Sequence, residues 1–269
     1  MAESSGDLPR LVATDLDGTL LASDGSVSHR TREVLTELTS RDVAVVLVTA
    51  RPLRWMTRLW PLVGSQGLAI LSNGAVVWDI SAGAPVRITG IEPDPGLAIV
   101  DRMRAAAPGV SFALEFLAGP RAEESYEAHV DDLGLVDYVR GDLADLWDGP
   151  ALKILAQREG DPEEFRRAVF AAVGDQAVPT WTMDGLVEIS AVGVTKAVAL
   201  TRFAADLGIV ADEVIAFGDM PNDIPMLTWA GRGCAVANAH PSVIACADAV
   251  VPTNDEDGVA ETLARIFGL

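Results

Sequence analysis

Two carboxylates two positions apart, Asp15 and Asp17, stand where an apolar run gives way to a turn in VATDLDGTLL, residues 12–21. A second apolar run, in AFGDMPNDIPML (216–227), is followed at once by Asp219, Asn222 and Asp223. Acidic side chains gathered at the carboxyl ends of parallel strands make a hard-cation site, because Mg²⁺ takes oxygen ligands and keeps several of its waters. A carboxylate beside such an ion can attack a phosphoryl group and form an aspartyl-phosphate, splitting one hard hydrolysis into two easier steps. With Asp15 as the attacking group, Asp17 is placed to act as general acid toward the departing oxygen and then as general base toward water. Gly18 permits the tight backbone turn. A Ca²⁺-loop reading fails, since Leu20 and Leu21 stand where further oxygen ligands are needed.

Other residues could complete such a centre. VAVVLVTARP (43–52) ends an apolar run with Thr49, whose hydroxyl and following N–H groups can hold phosphate oxygens or simply cap a helix. Arg51 could orient the phosphate loop or form a structural ion pair, and the structural role is favoured. The chain carries 18 Arg and only 2 Lys, Lys153 and Lys196. Lys196 opens a helical pattern, where the macrodipole disfavours a cation. A role paired with Asp15 and a phosphate explains it better than a solvated surface. Lys153, in ALKIL, could face the cleft and touch substrate, but a solvated sheet face is the favoured expectation.

These residues need a scaffold. Short, continuously apolar, β-branched runs at 11–14, 43–48, 68–71, 214–217, 234–236 and 249–251 read as strands. Helical patterns alternate with them at 29–40, 53–63, 195–207, 223–230, 241–247 and 257–267. That alternation predicts an α/β fold, a Rossmann-like doubly wound parallel sheet covered on both faces. From about residue 85 to 191 the strands are mixed or amphipathic (VRITG, VSFALEF, ALKILAQ, PTWTM, LVEIS), with helices near 94–106 and 162–173. This predicts an inserted α+β cap domain over 83–189, splitting the core into 1–82 and 190–269. Helices should cover one face of its sheet and leave the other for a partner surface. A lid there would exclude water and choose substrates.

Composition narrows the function. A net charge of −19 argues against a nucleic-acid groove or an anionic membrane surface. A phosphate site in such a chain must supply its positive charge locally. Residues 59–78 are uncharged, but Pro61, Gly64, Gly67 and Gly74 break them, so they do not read as a membrane span. The first residues, MAESSGDLPR, lack the apolar region of a signal peptide. Cys234 and Cys246 fit no metal pattern and read as buried apolar residues in a reduced, cytoplasmic protein. Nothing compels an oligomer, which leaves monomer or homodimer.

Taken together, DLDGTLL, the Thr of VTARP, Lys196 in GVTK and FGDMPNDIPML resemble the four motifs of the haloacid dehalogenase superfamily, in that order. SNGA (72–75), AVANAHPSV (235–243) and TNDEDGVAETL (253–263) resemble further segments of its Cof-type phosphatases, whose C2-type cap is inserted between the second and third motifs. The resemblance implies Asp15 as nucleophile and Asp17 as acid/base. It implies Thr49, Lys196 and Asn222 as phosphoryl contacts, with Asn73 and Gly74 lining the cleft. Mg²⁺ would be held by Asp15, Asp219, Asp223 and the Asp17 backbone carbonyl. Ala197 and Ala237 stand where Gly is common, a small departure. Asp17 favours a phosphomonoester over the reactions of relatives that lack an acid there. The implied activity is Mg²⁺-dependent hydrolysis of a small phosphorylated metabolite, foremost a sugar phosphate. A phosphosugar mutase is the alternative within the family; a non-catalytic ligand-binding or regulatory protein would be expected to lack a site residue, and none is missing.

Overall fold

The buried apolar runs do become parallel strands. The computed structural model describes residues 8–62, 67–127, 130–131, 134–135 and 137–269. Contacts divide the chain into two units: Met1–Ala50 with Arg58–Val86 and Lys196–Leu269, and Arg51–Thr57 with Arg87–Thr195.

The first unit is built on an eight-stranded sheet. Its strands are β1 (Leu11–Thr14), β2 (Ala44–Val48), β3 (Leu68–Leu71), β4 (Val76–Asp79), β5 (Ala84–Ile88), β14 (Val214–Gly218), β15 (Arg232–Val236) and β16 (Ala249–Val251), in the order β16-β15-β14-β1-β2-β3-β4-β5. The six strands from β16 to β3 are parallel, while β4 runs antiparallel to β3. Helices α1 (His29–Ser40), α5 (Lys196–Asp206), α6 (Ile224–Trp229), α7 (Pro241–Ile244) and α8 (Gly258–Phe267) belong to this unit. Helix α1 starts where Ser28 accepts the Thr31 N–H through its hydroxyl, at 2.9 Å. The chain runs outward one way through β1, β2 and β3 and the other way through β14, β15 and β16. Strands β1 and β14 are neighbours in parallel register, Thr14 opposite Phe217. Their carboxyl ends therefore meet where the winding reverses, the place where open α/β sheets bind ligands.

The second unit has a six-stranded, largely antiparallel sheet of β6 (Ser111–Phe116), β7 (Gly119–Ala122), β10 (Val139–Arg140), β11 (Lys153–Gln157), β12 (Val178–Met183) and β13 (Leu186–Ser190), in the order β10-β7-β6-β11-β13-β12. A small separate pair, β8 (Val130–Asp131) and β9 (Gly134–Leu135), accompanies it. Helices α2 (Pro93–Ala106) and α4 (Pro162–Val173) pack on one face, joining Ile99, Met103, Phe165 and Val169 to Leu114, Ile154 and Ile189 in one apolar core. A short helix, α3 (Leu143–Leu146), lies beside them in sequence. Pro162 and the Asp161 carboxylate, which accepts the N–H groups of Glu163 and Glu164, open α4.

Four expectations are corrected. Residues 53–63 are not one helix: Leu53–Trp55 and Trp60–Leu62 form two isolated single turns, with residue 63 outside the described residues. Pro61 has no N–H to continue the ladder from the first turn. The VRITG run joins the first unit's sheet through β5 rather than the cap sheet. Lys153 is buried at 3% exposure instead of solvated. Cys246 is exposed, because α7 ends at Ile244 and only Val243 of that turn is buried, whereas Cys234 lies in the core as expected. Among the described residues no helix is long and apolar enough to cross a membrane.

Candidate active site

Asp15, Thr49 and Asp219 each directly follow the carboxyl end of a strand of the first unit. Asp15 follows β1, with its N–H donated to the Phe217 carbonyl at 3.0 Å. The chain then makes one wide turn over Leu16–Leu20, closed by the Leu21 N–H on the Leu16 carbonyl at 2.8 Å. Gly18 has a φ of 72°, and a Cβ there would come within 2.5 Å of Asp219 Oδ2. Only glycine combines that backbone with that approach. Thr19, in the same turn, donates its hydroxyl to Asp219 Oδ1 at 2.8 Å.

Strand β14 makes the matching corner. Gly218 has Asp223 folded back over it, so that a Cβ at 218 would lie 2.5 Å from Asp223 Cβ. The Asp223 Oδ2 accepts the N–H groups of Asp219 and Met220, at 3.1 and 3.0 Å. One carboxylate thus shapes the turn that presents another.

Lys196 arrives from the start of α5 and closes the group. Its ammonium lies 2.8 Å from Asp15 Oδ1 and 2.7 Å from Asp223 Oδ1, and the residue is 1% exposed. Carboxylate oxygens of Asp15, Asp219 and Asp223 all lie within 4.8 Å of one another. Burial pushes the Asp15 carboxyl well above the usual range; Lys196 opposes this, while Asp223 and Asp219 add to it. Asp219 is pushed up to about 6, first by burial and then by the charge of Asp223. Burial alone would lower the Lys196 ammonium, but the attraction of Asp15 and Asp223 outweighs it and raises its pKa. Three carboxylates facing one ammonium leave two formal negative charges in a buried space. Such an arrangement suits a divalent, oxygen-seeking cation, and the donors are all hard oxygens.

Thr49 is fully buried at the end of β2, and its carbonyl accepts the Asn73 N–H at 3.0 Å. Ser72 and Asn73 both adopt left-handed backbone, with φ of 51° and 58°, and Gly74 follows at 102°. Strain of this kind is typical where a loop is held for function. The Asn222 amide donates to Asn73 Oδ1 at 3.1 Å, while Asn222 Oδ1 is buried with no hydrogen-bond partner among the described residues.

The structure therefore brings together Asp15, Lys196, Asp219 and Asp223, and separately joins Thr49, Asn73 and Asn222. The Asp17 side chain is exposed and stands outside the carboxylate group, leaving its carbonyl as the contact that the family resemblance implies. Sequence reasoning missed the supports of the Asp15 turn. Asn238 donates to the Gly18 carbonyl at 2.7 Å, and Asn254 donates to the Leu21 carbonyl at 2.9 Å. The Asn254 N–H reaches Asn238 Oδ1 at 3.0 Å, which ties the two supports together. Their signal lay in AVANAHPSV and TNDEDGVAETL, segments matched to the family but given no role.

Residues 12–263 match the haloacid dehalogenase-like hydrolase family. The chain belongs to that family. As a member of the haloacid dehalogenase-like hydrolases it is an enzyme, and its similar proteins include named phosphatases. One is a 5-amino-6-(5-phospho-D-ribitylamino)uracil phosphatase of Bacillus subtilis, 28% identical over 94% of each chain. Another is the HMP-PP phosphatase of an Enterobacter species, 28% identical over 88% of each. Among solved structures, a haloacid dehalogenase-like hydrolase from Bacteroides thetaiotaomicron is similar with a TM-score of 0.80 and 26% identity, covering 96% of this chain and 99% of that one. A Streptococcus mutans protein with a TM-score of 0.84, 24% identity and coverage of 97% and 100% shares the fold.

Proposed function

We propose that this chain is a Mg²⁺-dependent phosphatase that hydrolyses a small phosphorylated metabolite, foremost a sugar phosphate, through an aspartyl-phosphate at Asp15. The observation that carries the proposal is the Asp15 carboxylate: buried, at a strand end, paired with Lys196, and facing two further carboxylates. The phosphatase names of similar proteins support it.

Asp15 Oδ attacks phosphorus while the ester P–O bond breaks. The departing oxygen takes a proton from Asp17. Asp17, now ionised, takes a proton from water, whose oxygen attacks phosphorus; the Asp15–phosphorus bond breaks, and inorganic phosphate leaves. Lys196 favours the ionised form of Asp15 and offsets charge on the phosphoryl oxygens. Thr49 and Asn222 orient those oxygens, and Asn73 fixes Asn222. Mg²⁺, held by Asp15, Asp219, Asp223 and the Asp17 carbonyl, would supply charge stabilisation that one lysine cannot. The inserted α+β segment over 83–189 is the proposed cap.

Phosphate release from a panel of sugar phosphates, nucleotides and phosphorylated cofactors, with Mg²⁺ and with EDTA, tests the proposal. Release should require the metal and vanish in Asp15→Asn, which keeps the side-chain shape without the nucleophile. Undiminished turnover by that variant would sink the mechanism, and isomer interconversion without net release would indicate a mutase.

A further inference from the structure

One loop of the first unit holds both turns that carry the carboxylates. Strand β15 ends at Val236, and residues 237–240 lead from it into α7. The Asn238 amide donates to the Gly18 carbonyl at 2.7 Å, and two residues later the His240 N–H donates to the Asp219 carbonyl at 2.8 Å. Between them the Ala239 N–H turns back to the Val236 carbonyl at 2.9 Å. The loop is itself anchored. Asn238 Oδ1 accepts the Asn254 N–H at 3.0 Å, and the His240 carbonyl accepts the Val243 N–H at 2.8 Å as α7 opens. Strand pairing decides where the loop emerges, since Ala235 lies opposite Gly218, the residue before Asp219.

The two contacts hold different things. His240 joins backbone to backbone, a link that any residue but proline at 240 could make. Asn238 spends its side chain on a glycine. Gly18 stands between the Asp17 carbonyl and Thr19, whose hydroxyl reaches Asp219 Oδ1 at 2.8 Å. At its φ of 72° it lies so close to Asp219 that a Cβ would meet Oδ2 at 2.5 Å. Glycine is the residue least restrained by its own sterics, so the peptide planes on either side of it turn freely unless something outside the turn fixes them. Asn238 supplies that restraint. It pins the Gly18 carbonyl, and through the same α-carbon it limits the swing of the Asp17 carbonyl, the metal contact proposed above. The Asn238 side chain is exposed, so water can take over its bond with little loss to the fold.

Ion size gives that restraint a consequence. Mg²⁺ demands near-octahedral oxygens at about 2.0–2.1 Å, whereas Ca²⁺ accepts six to eight oxygens at about 2.3–2.6 Å in flexible arrangements. Oxygens brought from two separate turns suit the smaller ion only while the spacing of the turns is held. We propose that Asn238 is a positioning residue that fixes the Asp17–Gly18 peptide against the Asp219 turn and thereby shifts the site's preference from Ca²⁺ toward Mg²⁺. The inference rests on the metal-dependent phosphatase reading and adds the residue that tunes its cation. Calorimetric titration of the metal-free whole chain with Mg²⁺ and with Ca²⁺ tests it in wild type, Asn238→Ala and Asn254→Ala. Asp219→Ala serves as the blank for binding at the acidic surface. Asn238→Ala should weaken Mg²⁺ binding about 10-fold or more, the scale of losing a group that orients a ligand, and Ca²⁺ binding less than about threefold. Its melting temperature without metal should stay within about 3 °C of wild type. Asn254→Ala keeps its N–H on Asn238 and loses the bond to the Leu21 carbonyl. It should do the converse, melting lower with the ratio of the two affinities held.

Equal weakening of both ions in Asn238→Ala would overturn the inference, because a merely loosened fold loses them alike. An unchanged Mg²⁺ affinity would overturn it as well, as would a lower melting temperature with no change of ratio. A shift of ratio in Asn254→Ala as large as that in Asn238→Ala would also refute it, since any brace of the turn would then suffice. Failure of the wild type to bind Mg²⁺ at all would bring down the metal-dependent reading itself, which is a separate result.

Discussion

Replacing Lys196 with Met would test the electrostatic reading of the site most directly. The ammonium is 1% exposed and lies 2.8 and 2.7 Å from Asp15 and Asp223. Met fills a similar volume and removes only the charge and its hydrogen bonds. Unit charges about 4 Å apart attract by about 4 kcal/mol at an effective dielectric near 20, and two such attractions offset the cost of burying the lysine. Without it, carboxylates remain buried together unpaired, and breaking a buried pair in this way costs about 3–5 kcal/mol. The loss depends on pH. Asp15 lies well above the usual carboxyl range and Asp219 near 6, so at pH 5 protonation relieves part of the repulsion. At pH 8 Asp219 no longer carries that proton. Urea unfolding of metal-free wild type and Lys196→Met should show the full loss at pH 8 and a smaller one at pH 5. Phosphate release at pH 8 with Mg²⁺ should fall at least about 10²-fold, the scale of removing one positioned donor. A loss below about 1 kcal/mol, or one equal at both pH values, would refute the reasoning.

The remaining predictions probe the site's supports and its titration. Gly18→Ala should cost about 1–2 kcal/mol in backbone strain at its φ of 72° and displace Asp219, so Mg²⁺ affinity by calorimetry should weaken more than stability does. Asn254→Ala leaves the Leu21 carbonyl without its donor and should lower unfolding free energy by about 1–3 kcal/mol. For Asp219 the folded pKa of about 6 exceeds the ordinary 3.8, so the folded state binds the extra proton between those values. Its contribution to stability is present below about pH 3.8 and is lost as pH rises through about 6, by roughly 3 kcal/mol in all. Metal-free wild type should therefore lose melting temperature over that range relative to Asp219→Asn, and Mg²⁺ should restore it above pH 6; parallel curves would contradict the assignment.

Strands β1, β2, β3, β14, β15 and β16 were legible because parallel strands buried on both faces read as unbroken apolar runs, and the acidic residues follow at their ends. What periodicity could not convey is what covers a face. The alternation in ALKIL puts Lys153 opposite the helix-covered side, and solvent was the natural expectation there. The partner charges Glu115 and Glu188 come from strands distant in sequence, so the buried network appears only once β6, β11 and β13 are adjacent. The turns after Thr49 were misread for a local reason: Leu53, Trp55, Met56, Leu59 and Leu62 are spaced like a helix face, yet Pro61 withholds an N–H. Asn238 and Asn254 were invisible for yet another, because a side chain that braces a carbonyl more than two hundred residues away leaves no periodic trace.

The four buried charges at the strand ends do not offer equally clean tests. Asp15 gives one oxygen to Lys196 and, among the described residues, its side chain does not hold the turn's backbone, so an isosteric change there removes chemistry first. Asp223 is different. Its two oxygens take Lys196 and the N–H groups of Asp219 and Met220, and the residue is fully buried against Gly218. Asp223→Ala should therefore abolish activity by collapsing the corner that presents Asp219, and Asp223→Asn should keep one acceptor oxygen for those amides. The metal role proposed for Asp223 is tested by the second variant alone. If Asp223→Asn melts within about 2 °C of wild type without metal yet needs at least tenfold more Mg²⁺ for half-maximal phosphate release, the residue acts on the cation. If its melting temperature falls while the Mg²⁺ requirement holds, its work is to build the turn, and the cation depends on it only through Asp219.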